Sequence, residues 1–250
     1  MMSVLRTPGY LLFCCFLACT TDPVDADGYR LIFNGENLDD WEGDPTYWRV
    51  EDGVMIGEIT PQTVVDQNTF LIWRGGRPAD FELRVDYLLS PDANSGINYR
   101  SEEVPDAPYA LRGYQGDMNY AGTYTGMNYE ERGRTTIARR EEKVTLPPVG
   151  EALQDFILNN RWAPRRITDT LSDPDAPLEG VDPDEWNEYR IVARGNRLQH
   201  YINDQLMSDV TDEDTTNRRS EGLLGVQVHV GPPMKVQFRN WRLRDISGDE

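Results

Sequence analysis

Two polar side chains alternate with three valines in Val226-Gln227-Val228-His229-Val230. If this run is a strand, the valines share a face turned into a core, and Gln227 and His229 project together from the other. The same reading places Asn98 and Arg100 opposite Ile97 and Tyr99, and Gln115 and Asp117 opposite Tyr114 and Met118. Asn98, Arg100, Gln115, Asp117, Gln227 and His229 would then form one polar sheet face, with Glu130 and Glu131 as a second source of carboxylate beside it. A histidine titrates near pH 6.5 and suits general-base work, and an aspartate can serve as its acid or base partner. Asp117 and His229 could also hold a divalent metal, since imidazole and carboxylate suit several. No HExxH spacing and no compact acidic calcium loop occurs, so the sequence implies no certain cofactor and leaves metal open. His200, following Gln199 in a hairpin, reads as structural.

The elements that must carry these residues are strands. From Tyr29 onward, short alternating runs are separated by Gly, Pro, Asp and Asn. Phe81 to Leu89, Gly96 to Arg100, Arg112 to Met118, Thr123 to Tyr129, Glu188 to Arg194, Arg197 to Ile202, Gly222 to Val230 and Val236 to Arg244 are among them. Asp52-Gly53 and Gly195-Asn196 mark tight hairpins. Many strands without long helical periodicity predict an all-β sandwich or jelly roll. The stretch from Glu141 to Asp184 breaks the rhythm. It is rich in Pro, Asp and Glu, with one short helix predicted over Glu151 to Asn159, and reads as a long surface excursion.

All three cysteines fall near the start, at Cys14, Cys15 and Cys19. An Arg6-bearing segment, an apolar run from Tyr10 to Ala18 and Phe16-Leu17-Ala18-Cys19 look like a bacterial lipobox, with Phe16 where Leu is usual. The expected division is a lipoprotein signal peptide over 1–18, a tether over 19–28 anchored by a lipid on Cys19, and one β-sandwich domain over 29–250. The expected place is the cell envelope, periplasmic or at the outer-membrane surface. The remaining 231 residues after Cys19 carry no thiol, which excludes a disulfide framework and a Cys metal site there. A net charge of −18 argues against nucleic acid as partner, because phosphate binding needs a basic surface. Six Trp and twelve Tyr are compatible with a carbohydrate ligand. There is no GxGxxG, no GxxxxGK[ST] and no GxSxG, so dinucleotide, P-loop and serine-hydrolase chemistry lack their motifs.

Six blocks in order resemble the 3-keto-disaccharide hydrolase family, long known as a domain of unknown function. They are Leu31-Ile32-Phe33-Asn34-Gly35-Glu36-Asn37-Leu38-Asp39-Asp40-Trp41, Trp48 to Val54, Asn94 to Arg100, Gly113-Tyr114-Gln115-Gly116-Asp117, Trp186 to Asp204, and Gly225 to Leu243. Asp204 replaces the glycine usual in its hairpin, which aspartate tolerates. The Glu141 to Asp184 region is longer than usual, which leaves the size of the substrate open. The resemblance implies a concanavalin A-like jelly-roll sandwich of two antiparallel sheets with a ligand groove on its concave face. It also implies activity on glycosides already oxidised at C3, where the ketone acidifies the C2 proton and lets the C1 substituent leave by elimination, followed by hydration. In that reading His229, Asp117 and Arg100 are catalytic, with Arg100 holding the enolate oxygen. Asn98, Gln115, Gln227 and Glu130 bind substrate. The implied partners are a carbohydrate substrate, the lipid anchor in the membrane and a sugar 3-dehydrogenase acting upstream. The rival reading is a non-catalytic, lectin-like glycan-binding surface lipoprotein. The leader predicts that membrane-extracted protein begins at a diacylated Cys19; an unmodified cysteine in its intact mass would remove the anchor.

Overall fold

Alternation of buried and accessible side chains organises the long strands, from Leu83 to Leu89 and over Asn187–Arg194, and requires one face of each to be covered. A computed structural model describes residues 24–159, 161–172 and 178–249. Cys19 and the whole leader lie outside them. The strands in chain order are β1 (Arg30–Leu31), β2 (Trp41–Glu42), β3 (Trp48–Glu51), β4 (Val54–Ile59), β5 (Thr69–Trp73), β6 (Phe81–Leu89), β7 (Asn94–Glu103), β8 (Leu111–Asn119) and β9 (Asn128–Glu131). They continue with β10 (Thr135–Ala138), β11 (Glu142–Leu146), β12 (Arg166–Thr170), β13 (Asn187–Arg194), β14 (Arg197–Ile202), β15 (Gln205–Asp212), β16 (Leu223–Val228) and β17 (Met234–Asp245).

One sheet runs β12-β11-β15-β14-β13-β6-β17-β4-β3, with β1 also on β17; the other runs β10-β9-β8-β7-β16-β5-β2. Every pairing is antiparallel except β11 with β15. That one parallel pair departs from the expected purely antiparallel sheets. It arises because the excursion is not only a loop: it adds β11 and β12 to the edge of the larger sheet and carries a six-residue helix, α1 (Leu153–Leu158). The expected strand over Thr123 to Tyr129 is displaced to Asn128–Glu131, because Gly122 (φ 74°) and Gly126 (φ 85°) turn the chain first. The hairpins are as expected. Asp52 and Gly53 both take positive φ, and so do Asn203 and Asp204, the signature of type I′ turns that suit sheet twist.

The sheets enclose a core that includes Trp48, Phe81, Tyr99, Tyr114, Tyr189, Phe238 and Trp241. Trp41, from the first block of the resemblance, meets Trp241, from the last, edge-on at 4.8 Å. Two polar networks also lie inside. His200 is wedged between Tyr99 and Tyr189, its Nε2 2.9 Å from Tyr99 Oη and its Nδ1 3.2 Å from the Met127 carbonyl. Burial pushes its pKa down to about 3, so it is a neutral structural residue. Arg134 donates to Glu130 at 2.6 Å and to Asp212 of β15 at 2.6 Å, while Tyr114 Oη donates to the same Asp212 oxygen. This second network bolts β8 and β9 to the opposite sheet. A buried ion cluster stabilises little against an apolar replacement of the whole, but removing one partner strands the remaining charges. Arg134→Met is therefore expected to cost about 3–5 kcal/mol in urea unfolding; a loss under about 1 kcal/mol would show that the network does not carry the sheet contact.

Candidate functional site

The centre of the seven-stranded sheet is β9-β8-β7-β16, and its registers fix which residues share the face turned away from the core. Asn98 is opposite Gln115 and Gly225, Gln115 is opposite Tyr129, and Gly96 is opposite Asp117. Gly113, Gln115, Asp117 and Asn119 therefore line this outer face at every second position of β8, a track of about 20 Å. Gln227 and His229 join it from β16 and its continuation. The sequence-predicted Asn98, Gln115, Asp117, Gln227 and His229 are brought to one face.

Gly96 is what lets them interlock. A Cβ there would come within 2.5 Å of the Gln115 side chain. Gln115 instead leans across, donating from Nε2 to Asp117 Oδ1 at 2.7 Å and accepting from Gln227 Nε2 at 3.3 Å. Beneath this chain Asn98 is fully buried with neither amide atom partnered, and Gln227 Oε1 is also unpartnered. Each such group costs about 1–3 kcal/mol of unrecovered desolvation. Toward the Leu111 end, the face also carries a separate apolar patch of Phe70, Ile72, Leu111 and Leu223. The 104–110 turn ties down there, with Phe70 N–H donating to the Tyr109 carbonyl.

Two expectations are corrected. Arg100 does not face the site. The β7–β8 register slips between Tyr99 and Glu102, and Arg100 takes φ 45°, so the alternation breaks and its side chain turns inward. There it donates to the carbonyls of Ala79 and Gly195 and to Asp80, with 1% exposure. Glu130 is likewise an inner residue, held by Arg134. Its neighbours Tyr129 and Glu131 are the ones that share the outer face. Asn128-Tyr129-Glu130-Glu131 has no apolar alternation from which the facing carboxylate could be read.

Of the two carboxylates expected beside the face, Glu131 is the one that reaches it, and Asn68 is the residue the sequence reading did not place. Asn68 Nδ2 donates to Glu131 at 3.4 Å, and Asn68 Oδ1 accepts the Val230 N–H at 3.0 Å. The Val230 carbonyl lies 2.6 Å from His229 Nδ1. One amide thus fixes both a carboxylate and the residue that orients the histidine. With the Nδ1 hydrogen directed to that carbonyl, Nε2 is the basic nitrogen, and no hydrogen bond among the described residues engages it.

The electrostatics follow from burial. Desolvation pushes the Asp117 carboxyl up to about 8, reinforced by the Glu131 charge and opposed by the Gln115 hydrogen bond. Burial also raises Glu131, with Asn68, Arg132 and Gln227 holding it partly down. The same cause pushes Tyr129 up to about 12 and His229 below its usual 6.5, against the pull of the Val230 carbonyl. Asp117 and His229 share no hydrogen bond among the described residues. His229 lies one residue pair further along the face, in a cavity with Asn94, Asn119 and Tyr120. No cluster of three or more His, Cys, Asp or Glu able to hold a metal occurs among the described residues, so Asp117 and His229 do not belong to such a set.

The profile of a 3-keto-α-glucoside-1,2-lyase-like domain matches residues 28–244. A protein of Bacteroides thetaiotaomicron named 3-keto-disaccharide hydrolase is 35% identical over 89 residues, which are 33% of this chain and 30% of that protein. Two crystal structures from Parabacteroides distasonis, both provisionally described as glycosyl hydrolases, share the fold. One superposes with TM-score 0.55 at 14% identity over 87% of this chain and 98% of the other; the second gives 0.54 at 20% identity over 88% and 94%.

The raised Asp117 sets the sign of a stability test. Its folded pKa near 8 exceeds the unfolded value near 3.9, so its contribution is greatest below about pH 4 and is lost as pH rises through about 8. Asp117→Asn is expected to remove that decline, and to melt higher than the parent at about pH 8 in thermal scans across this window. An unchanged pH slope would mean that Asp117 ionises normally.

Proposed function

This chain belongs to the 3-keto-disaccharide hydrolase family, and on that footing we propose that it cleaves 3-keto-glycosides by elimination and hydration on the outer face of its seven-stranded sheet. The observation that carries the reading is the pairing, on one face, of a carboxyl that holds its proton near neutral pH with a histidine held in its neutral form.

The chemistry needs both states. A neutral His229 Nε2 takes the C2 proton that the adjacent C3 ketone acidifies. The C2–H electron pair becomes the C1=C2 bond and the C1–O bond breaks. The protonated Asp117 gives its proton to the departing oxygen. Water then adds to C1, returning a proton to Asp117, while the imidazolium returns its proton to C2. The sum is one glycoside and one water converted to a 3-keto sugar and an alcohol. With Arg100 committed to the core, the amides of Asn98, Gln115 and Gln227 are the donors left for the developing enolate oxygen. The buried Asn98 Nδ2, a donor with no partner in the free protein, suits that task best, because its cost is recovered only when charge develops. From the lipobox-like leader we further propose that this activity resides in the cell envelope, on a lipid-anchored protein that receives its substrate from a sugar 3-dehydrogenase.

Incubation with 3-keto-glucosides and their unoxidised counterparts, following release of the leaving group, tests the reading. Release from the keto sugars alone is expected, with kcat reduced about 10²–10⁴-fold in His229→Ala and in Asp117→Asn. The pH profile should fall on the alkaline side near 8, and this limb should move upward in Gln115→Leu, which loses the hydrogen bond that lowers the Asp117 pKa. Near-normal turnover in His229→Ala would remove it from the mechanism. Saturable glycan binding without release from either sugar would favour the lectin-like reading.

A further inference from the structure

Beyond β8 the track runs under the excursion into a cavity of about 300 Å³ lined by Arg112, Glu131, Arg132, Gln154, Arg218 and Arg219, among others, the lower end of small-ligand sites. Its charge is unlike that of the molecule. The chain carries 43 acidic against 25 basic residues, yet this end gathers four arginines. Glu102 forms ion pairs with two of them, Arg112 and Arg219. The other two have no carboxylate partner among the described ion pairs. Arg132 donates to the Gln67 amide oxygen at 3.3 Å and its charge acts on Glu131 without a direct ion pair, and Arg218 donates to the Asp212 main-chain carbonyl at 3.4 Å. Arg134, which could have shared a carboxylate with them, keeps Glu130 and Asp212 for itself. The remaining carboxylate in the cavity, Glu131, belongs to the site described above.

Helix α1 completes the wall with Leu153 and Ile157, one apolar face beside neutral polar groups at Gln154 and Thr216. An apolar wall facing an amide, a hydroxyl and two guanidiniums without an ion-pair partner is the surface a carboxylated sugar ring presents in reverse: a CH face, hydroxyls and a planar anion. Guanidinium binds carboxylate through two parallel N–H···O bonds, stronger than neutral hydrogen bonds.

We propose that this cavity is the subsite for the leaving residue of the substrate, and that it selects a residue bearing a carboxylate, of the uronate class. The inference rests on the keto-glycoside reading and adds the substrate's acidity to it. It also gives the excursion a role: the insertion that lengthens the chain between β11 and β12 supplies the wall of the subsite that discriminates.

The test compares a 3-keto-glucosyl disaccharide whose leaving residue is glucuronate with the same disaccharide ending in glucose, so that both leaving groups are sugar hydroxyls. The acidic substrate is expected to show about tenfold higher kcat/KM at low ionic strength, equivalent to one charged hydrogen bond of about 1.4 kcal/mol. The preference should shrink with added salt and collapse toward unity in the Arg132→Gln, Arg218→Gln double variant. Equal kcat/KM in the parent, or a preference that survives in the double variant, overturns the subsite. If neither disaccharide is cleaved, the keto-glycoside reading fails by itself. Free glucuronate titrated into the full protein then decides the subsite alone. Saturable binding that the double variant abolishes upholds it, and binding equal in parent and variant, or none, overturns it.

Discussion

The two-residue period of β8 is the constraint on which the site depends. Tyr114 and Met118 point into the core while Gln115 and Asp117 point out, and no rotation of the strand can move one set without the other. The inner set is locked. Tyr114 is hydrogen-bonded to Asp212 across the sandwich and stacked on Tyr99, which in turn is bound to His200 of the other sheet. The strand that carries the Asp117 carboxyl is therefore held from behind, by aromatic packing and a buried ion network, while on the outer face the carboxyl itself is engaged by Gln115. A slip of one residue would bury Asp117 and expose Tyr114, so register and function are specified together.

Such a floor is expensive. Asn98 and Gln227 keep amide atoms buried without partners, in a sheet whose other positions could have been filled by valine at lower cost. Natural proteins retain groups of this kind where a ligand or a transition state supplies the missing partner. The apolar patch of Phe70, Ile72, Leu111 and Leu223 beside them shows that the same face can be made dry and satisfied when chemistry is not required of it.

What the sequence revealed, and what it hid, follows from the same geometry. Where valine or aromatic residues alternate with polar ones, as around Gln227 and Gln115, face assignment was direct and the structure agrees. Arg100 defeated it because a bulge at positive φ is a property of the β7–β8–β16 contact, not of the local residue pattern. Glu130 and Glu131 were ambiguous because a run of polar residues carries no period. Asn68 was invisible, since its role is created by the approach of β5 to the end of β16, 162 residues later. The excursion was recognised by composition, but the pairing of β11 alongside β15 is a parallel contact with no local signature.

The separation of His229 from Asp117 along the face has a physical reason. In direct contact, a histidine and an aspartate exchange a proton, giving imidazolium and carboxylate; each would then hold the protonation state opposite to the one the proposed elimination requires. Burial acts on the two groups in opposite directions of pKa but toward the same end, because it disfavours charge on either. It lifts Asp117 to about 8 and lowers His229, so that near neutral pH the first keeps its proton and the second lacks one. Placed a residue pair apart along the face and sharing no hydrogen bond, they are kept from that exchange, as the proposed mechanism requires. Two titratable groups pushed apart by their surroundings can divide the roles of acid and base, and in the proposed mechanism desolvation makes both assignments.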